Sequence, residues 1–176
     1  YITGGSQGSY YLNQTLLTHL LAIIPSIQKN FFIKHQCGSG NSEKVNKFYS
    51  KKLSSDLHFN YTVKEFFESP EKCISWADLI ISRAGALTLS EISAMEKGAF
   101  MIPLPSSIDN HQYLNAKNHE KIGLGITHEE SDSSENLMKK LSDVIEKHRY
   151  LDWENVKKDI LHIKAAINIY EFIKKN

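Results

Sequence analysis

The stretch YITGGSQGSYYLNQT at residues 1–15 limits how this chain can fold more than any other. A short apolar stub runs into two glycines, a small polar tip and a third glycine, Gly8. Apolar residues then recur at helical spacing (Leu12, Leu16, Leu17, Leu20, Leu21 and Ile24), and Pro25 closes the pattern. The same order returns further on. There the apolar run ADLIIS (residues 77–82) reads as a buried parallel strand, followed by Gly85 and a helix expected over 88–97. Strands that alternate with helices in this way build a parallel sheet with helices on both faces. The expected fold class is therefore α/β, a Rossmann-like, doubly wound parallel sheet.

The remaining segments fit that scheme. FFIKH (residues 31–35) reads as a strand ended by the turn-rich CGSGNS, and a polar helix is expected over 43–50. A short strand is expected near 57–59, with KEFF (residues 64–67) approaching the next turn, and FMIPLP (residues 100–105) reads as another strand. Helices are expected over 110–122 and 133–148. Trp153, Val156, Ile160, Ile163, Ile167 and Tyr170 form an apolar stripe that predicts one long amphipathic helix at the end.

Bulk properties exclude several classes. At 176 residues, 41% of them hydrophobic and 23% charged, the chain suffices for one domain with its own core. A formal net charge of +1 leaves no basic excess to neutralise phosphates, so nucleic acid is not an expected partner. Cys37 and Cys73 lie far apart, outside any CxxC spacing, and read as a reduced, cytosolic pair. No apolar run reaches the roughly 18 residues of a membrane span, and no signal peptide is evident. The chain opens at Tyr1, without methionine and inside a strand, which reads as a fragment of a longer protein.

In doubly wound sheets ligands lie beyond the carboxyl ends of the strands, where both glycine loops fall. A dinucleotide fingerprint would place its glycines at Thr3, Gly5 and Gly8, so the first is missing, and no acid precedes Glu43 to hold a ribose. A P-loop needs a lysine that closes the loop, yet no lysine precedes Lys29. Two readings remain for the first loop. Its amides and the Ser6 hydroxyl meet one phosphate at a helix start, or it is a tight turn with Ser6 as helix N-cap.

The second loop poses the same choice. The amides of Ala86, Leu87 and Thr88 follow Gly85 and can point at an anion, with Glu91 placed to accept hydrogen bonds from paired ribose hydroxyls. Thr88 and Glu91 equally fit a capping box, in which Glu91 returns to the Thr88 amide. A third polar cluster comprises Asp109, Asn110, His111, Gln112 and Asn115. His111 and Gln112 can read sugar hydroxyls, or else Asp109 or Asn110 caps a helix beside a solvated histidine. Two anion-ready helix starts in one sheet suit a diphosphate. The eight histidines show no HxxxH or HExxH spacing, so no metal site is expected. No nucleophile constellation is evident.

Taken in order, GGSQGS, HQCGSG, WADLIISRAGALTLSE and PLPSSIDNHQYLNA resemble the MurG family of bacterial peptidoglycan glycosyltransferases. The likeness covers nearly the whole chain and weakens after Ile126. It implies the C-terminal, donor-binding half of a two-domain GT-B enzyme, with residues 1–176 forming that domain. Such enzymes transfer GlcNAc from UDP-GlcNAc to lipid I, giving lipid II with inversion, at the cytoplasmic face of the inner membrane. No cofactor and no metal are implied. Carried over by residue, Ser6, with Gln7 beside it, would contact the diphosphate, and the Phe67 backbone would hold uracil. Ala86, Leu87 and Thr88 would form the phosphate-facing helix start, which runs on through Leu89 and Ser90 to Glu91 at the ribose. His111 and Gln112 would read the GlcNAc hydroxyls.

The resemblance places the lipid acceptor site and the general base in an N-terminal domain, which is thereby an expected partner, so this chain alone is expected to bind donor without efficient turnover. Three positions depart from the family pattern. Ser9 stands where alanine is usual, Glu96-Lys97-Gly98 where Gly-x-Pro is common, and Asp109-Asn110 where DD precedes HQ. Two other classes share these motifs: a free-standing donor subunit that needs a second chain, and another GT-B enzyme such as a UDP-GlcNAc epimerase.

Overall fold

The computed structural model describes residues 1–26, 30–52 and 59–154. Six strands form one sheet: β1 (Ile2–Thr3), β2 (Phe31–Gln36), β3 (Phe59–Lys64), β4 (Ile81–Ser82), β5 (Ala99–Met101) and β6 (Gly125–Thr127). Their spatial order is β3-β2-β1-β4-β5-β6, and every pairing is parallel. Chain order therefore reverses between β1 and β4, which pair through Ile2 with Ile81 and Thr3 with Ser82. That reversal opens a crevice at the carboxyl ends of two neighbouring strands whose connections leave to opposite sides. Both glycine loops begin there.

Helices cover both faces. Six residues of π-helical winding (Tyr11–Leu16) lead into α1 (Leu17–Ile23), followed by α2 (Ser42–Lys52), α3 (Pro70–Trp76), α4 (Ala86–Ala94), α5 (His111–Lys121), α6 (Ser134–Glu146) and α7 (Tyr150–Glu154). One core joins Ile2, Ile33 and Phe100 to Leu12, Leu16, Leu17, Val45, Tyr49, Leu137, Leu141 and Trp153. The other joins Ile80, Ala99 and Met101 to Cys73, Ile74, Leu89, Ile92 and Ala116. So α1, α2, α6 and α7 pack on one face, and α3, α4 and α5 on the other. Both cysteines are free and buried.

Several boundaries differ from expectation. The strand expected near 57–59 runs instead from Phe59 to Lys64, where Phe59, Tyr61 and Val63 alternate with exposed Asn60, Thr62 and Lys64. That period of two belongs to an edge strand with one covered face. Only Ile81 and Ser82 of ADLIIS enter the ladder, and Ala77 is the C-cap of α3. The β5 ladder stops at Met101, short of Pro103 and Pro105, which have no N–H to offer. Helix α4 starts two residues before Thr88. Helix α3 and strand β6 were not foreseen. In α3 the signal was Pro70 at the first helical turn after Ser69. The stripe from Val156 to Tyr170 lies outside the described residues; Trp153, at its start, is buried in α7.

A cavity of about 430 Å³ lies at the opposite, amino end of the sheet, lined by Phe31, Phe32, Trp76, Leu79 and Tyr150 among others. Here β2 outruns β1: it pairs with β3 along six residues but with β1 at only two. The cavity lies away from the glycine loops.

Candidate functional site

The first loop is held by glycine geometry. Gly5 and Gly8 adopt φ values of +77° and +74°, a conformation that penalises any Cβ. The Thr3 hydroxyl, at the end of β1, accepts from Gly5 N–H at 3.2 Å. Ser6 and Gln7 are the exposed tip. The tip rests on the loop after β2: a Cβ on Gly8 would lie 2.0 Å from the Cys37 carbonyl, and one on Gly38 would lie 2.3 Å from Gly8 N. Ser6 caps no helix. The cap is Ser9, whose hydroxyl accepts from Leu12 N–H at 3.2 Å. Ser9, the departure noted above, therefore closes the following helix, and Ser6 is left facing out.

A buried polar network fixes the two loops together. Asn13 Nδ2 donates to the Cys37 carbonyl at 2.9 Å, and its Oδ1 accepts from His35 Nε2 at 3.0 Å. The remaining ring nitrogen, Nδ1, accepts from the Tyr49 hydroxyl at 3.1 Å. Burial pushes the His35 imidazole down to about 3, so it stays neutral with its proton on Nε2. Beside it, Gln36 spans two segments. Its Nε2 donates to the Gly5 carbonyl at 3.1 Å, while its Oε1 accepts from Phe67 N–H at 3.3 Å and from the Tyr1 hydroxyl at 3.2 Å. Phe67, half-buried beyond the carboxyl end of β3, stands edge-on to Tyr1 with ring centroids 6.0 Å apart.

The second loop follows β4. Arg83 Nη1 donates to the carbonyls of Ile102 and Pro103 at 3.1 and 3.2 Å and pairs with Glu130 at 2.5 Å. It thereby ties the ends of β4 and β5 to the chain after β6. Gly85 then serves as N-cap of α4, and the helical ladder begins with Leu89 N–H on the Gly85 carbonyl at 3.0 Å. The amides of Ala86, Leu87 and Thr88 therefore occupy the first turn, where intrahelical acceptors are lacking and the helix dipole is positive. Thr88 lies inside the helix, so the capping box with Glu91 does not form. Glu91 is exposed one turn on, and Ser90 is half-buried between them. Leu89 is 1% exposed and belongs to the core beneath; its side chain and amide are both committed to the fold.

The third cluster follows β5. Asp109 and Asn110 take left-handed conformations, with φ of 49° and 54°, and neither caps α5 through its side chain. The Ser107 hydroxyl accepts from Gln112 N–H at 3.4 Å instead. Exposed His111 donates from Nδ1 to the Ile108 carbonyl at 2.7 Å, leaving Nε2 as an acceptor. Gln112 Oε1 accepts from Leu104 N–H at 3.1 Å, which turns its amide NH2 into the free end. Asn115 Nδ2 donates to the Ala84 carbonyl at 3.2 Å and ties α5 to the second loop.

The structure thus brings the predicted residues to the carboxyl edge of one sheet, Leu89 alone pointing into the core. Gln36, Ser107 and Arg83 were not foreseen as parts of this site. Gln36 ends an apolar strand as an amide buried to 7% exposure, a signal that burial reveals and sequence does not. Among the described residues no group of three or more His, Cys, Asp or Glu side chains is placed to hold a metal ion. No described helix is long and apolar enough to cross a membrane.

A parallel, doubly wound sheet with glycine loops and helix starts at its switch point defines a domain of the Rossmann-like class. Residues 1–168 match the model of the glycosyltransferase family 28 C-terminal domain, and the chain belongs to that family. A crystal structure of Acinetobacter baumannii MurG superposes with a TM-score of 0.75 at 31% identity, covering 87% of this chain and 42% of that one. The Haemophilus ducreyi UDP-N-acetylglucosamine--N-acetylmuramyl-(pentapeptide) pyrophosphoryl-undecaprenol N-acetylglucosamine transferase is 34% identical over 166 residues, 94% of this chain and 43% of its own. The protein of the same name from Alcanivorax borkumensis is 40% identical over 116 residues, 66% of this chain and 30% of its own. The chain thus spans less than half the length of these relatives.

Proposed function

We propose that this chain is the donor-binding half of an inverting glycosyltransferase that moves GlcNAc from UDP-GlcNAc to lipid I, forming lipid II for peptidoglycan. The observation that carries the reading is spatial order. Along the carboxyl edge, β3, β1, β4 and β5 deliver Phe67, then Ser6 and Gln7, then residues 86–91, then His111 and Gln112. In a nucleoside diphosphate sugar the base and the hexose are likewise the two ends, with ribose and diphosphate between them.

The chemistry of each station suits its group. The Phe67 backbone is placed for the base edge. Ser6 and the amides of Ala86, Leu87 and Thr88 face the diphosphate, and the Glu91 carboxylate accepts from the ribose hydroxyls. The free amide of Gln112 and the Nε2 of His111 offer one donor site and one acceptor to sugar hydroxyls. As the glycosidic bond breaks, negative charge gathers on departing UDP. Fixed amides and a helix dipole stabilise that charge without reorganising. The acceptor site and general base belong to an N-terminal domain, which makes the complete enzyme a two-domain protein working at the cytoplasmic face of the inner membrane.

Calorimetric titration of the chain with UDP, UDP-GlcNAc and UDP-GalNAc tests the reading. UDP is expected to bind, and the GlcNAc form more tightly than the GalNAc form. No heat with any uridine nucleotide overturns the donor site, and conversion of free UDP-GlcNAc without acceptor identifies an epimerase instead.

A further inference from the structure

We infer that Gln36 is a positioning residue that sets the base station against the phosphate station. This rests on the donor-site reading above. The phosphate loop and the base loop come from different strands, β1 and β3, with β2 between them. Gln36 is the last residue of β2, and its amide reaches both ways: Nε2 to the Gly5 carbonyl at 3.1 Å, Oε1 to the Phe67 N–H at 3.3 Å. The stem is fixed at 7% exposure, and the same Oε1 also accepts the Tyr1 hydroxyl at 3.2 Å. The bonds to Gly5 and Phe67 fix the amide in one orientation, because a flipped amide would set two acceptors face to face at Gly5 and two donors at Phe67.

A consequence follows for the nucleobase. With its N–H held by Gln36, Phe67 has its carbonyl as the backbone group that remains to meet a ligand. A carbonyl accepts from a ring N–H, which uracil carries at N3 and cytosine lacks. Gln36 therefore acts on the base through Phe67, without touching the ligand itself.

Rigid spacing matters because UDP engages both stations at once. A ligand that spans two fixed sites gains over its separate halves in proportion to how well the sites are held in register. Pyrophosphate, which uses the phosphate station alone, does not draw on that gain.

The test titrates UDP, CDP, uridine and pyrophosphate into the wild-type chain, Gln36→Leu and Gln36→Asn, with thermal melting recorded alongside. Asparagine keeps the amide on a stem one methylene shorter, which reaches one loop or the other and not both. Both variants are expected to weaken UDP about tenfold, the scale of one or two lost hydrogen bonds. Pyrophosphate should stay within about twofold of wild type, uridine should weaken with the released base station, and the preference for UDP over CDP should shrink. If wild type binds UDP no tighter than pyrophosphate, the donor-site reading itself fails. If wild type prefers UDP and both variants bind it unchanged, the positioning role is overturned. It is overturned equally if pyrophosphate weakens as much as UDP, because that pattern belongs to a generally damaged fold.

Discussion

Replacing Gly85 by alanine separates the ligand's needs from those of the fold. Gly85 sits at φ −65° and ψ 139°, a conformation open to any residue. A Cβ built there meets nothing closer than the Thr88 hydroxyl at 4.0 Å. The protein itself therefore gives no reason for glycine at this position. Losing a glycine reduces the freedom of the unfolded chain and stabilises by about 0.4–1 kcal/mol. Alanine is a poorer N-cap than glycine by a comparable amount, on the order of 0.5–1 kcal/mol. The two nearly cancel, so Gly85→Ala should shift the melting temperature by no more than about 2–4 °C. The new methyl group, however, stands at the mouth of the first turn of α4, where an anion would approach the amides of residues 86–88. Losing one charge-assisted hydrogen bond there is worth about 1.5–3 kcal/mol, so UDP affinity should fall roughly ten- to a hundredfold. Calorimetry beside a thermal melt reads both quantities. Unchanged UDP affinity would refute the placement of a phosphate at this helix start, and a melting drop beyond about 10 °C would show the glycine to be structural.

Gly8→Ala should behave in the opposite way. Its Cβ would sit 2.0 Å from the Cys37 carbonyl at a φ of +74°, so a loss of about 3 kcal/mol or more is expected in denaturant unfolding. Gly5→Ala, at φ +77° with nothing within 4 Å, should cost only about 1–2 kcal/mol. Equal losses in the two variants would contradict the interlocked loops. Glu91→Ala removes an exposed carboxylate that caps nothing; its melting should match wild type while UDP weakens about tenfold. Early melting with normal binding would return Glu91 to a structural role. Finally, the depressed His35 imidazole takes up a proton on unfolding below its ordinary value of 6.5 but not when folded, down to about 3. Its contribution is complete above that upper value and is lost as pH falls through the window. Wild type should therefore lose up to about 1.4 kcal/mol per pH unit more than His35→Gln in that range, and parallel pH profiles would count against it.

Reading the sequence alone succeeded where a pattern is local. GGSQG announces a strand turning into a helix because glycine tolerates the positive φ of Gly5 and Gly8 and the close approach at Gly8. RAG does so by following an apolar strand and opening a helical pattern. Where two local rules competed, the choice stayed open. Thr88 and Glu91 satisfy the spacing of a capping box, yet α4 begins at Ala86 because Gly85 takes the cap. Ser6 satisfies the chemistry of an N-cap, yet Ser9 holds the bond. In each case the choice depends on where a chain enters its helix, which packing decides.

What the sequence by itself determined is therefore the α/β class, the two glycine loops, and the types of side chain at each strand end. Periodicity and glycine chemistry act over a few residues and need no partner to be legible. Only the tertiary structure decided strand order, and with it the sequence of stations along the carboxyl edge. It alone revealed that Gly8 and Gly38 interlock, that Leu89 is core, and that Gln36 joins Gly5 to Phe67. Those contacts link residues about 30 positions apart. They follow from which strands lie side by side, and no local rule encodes that.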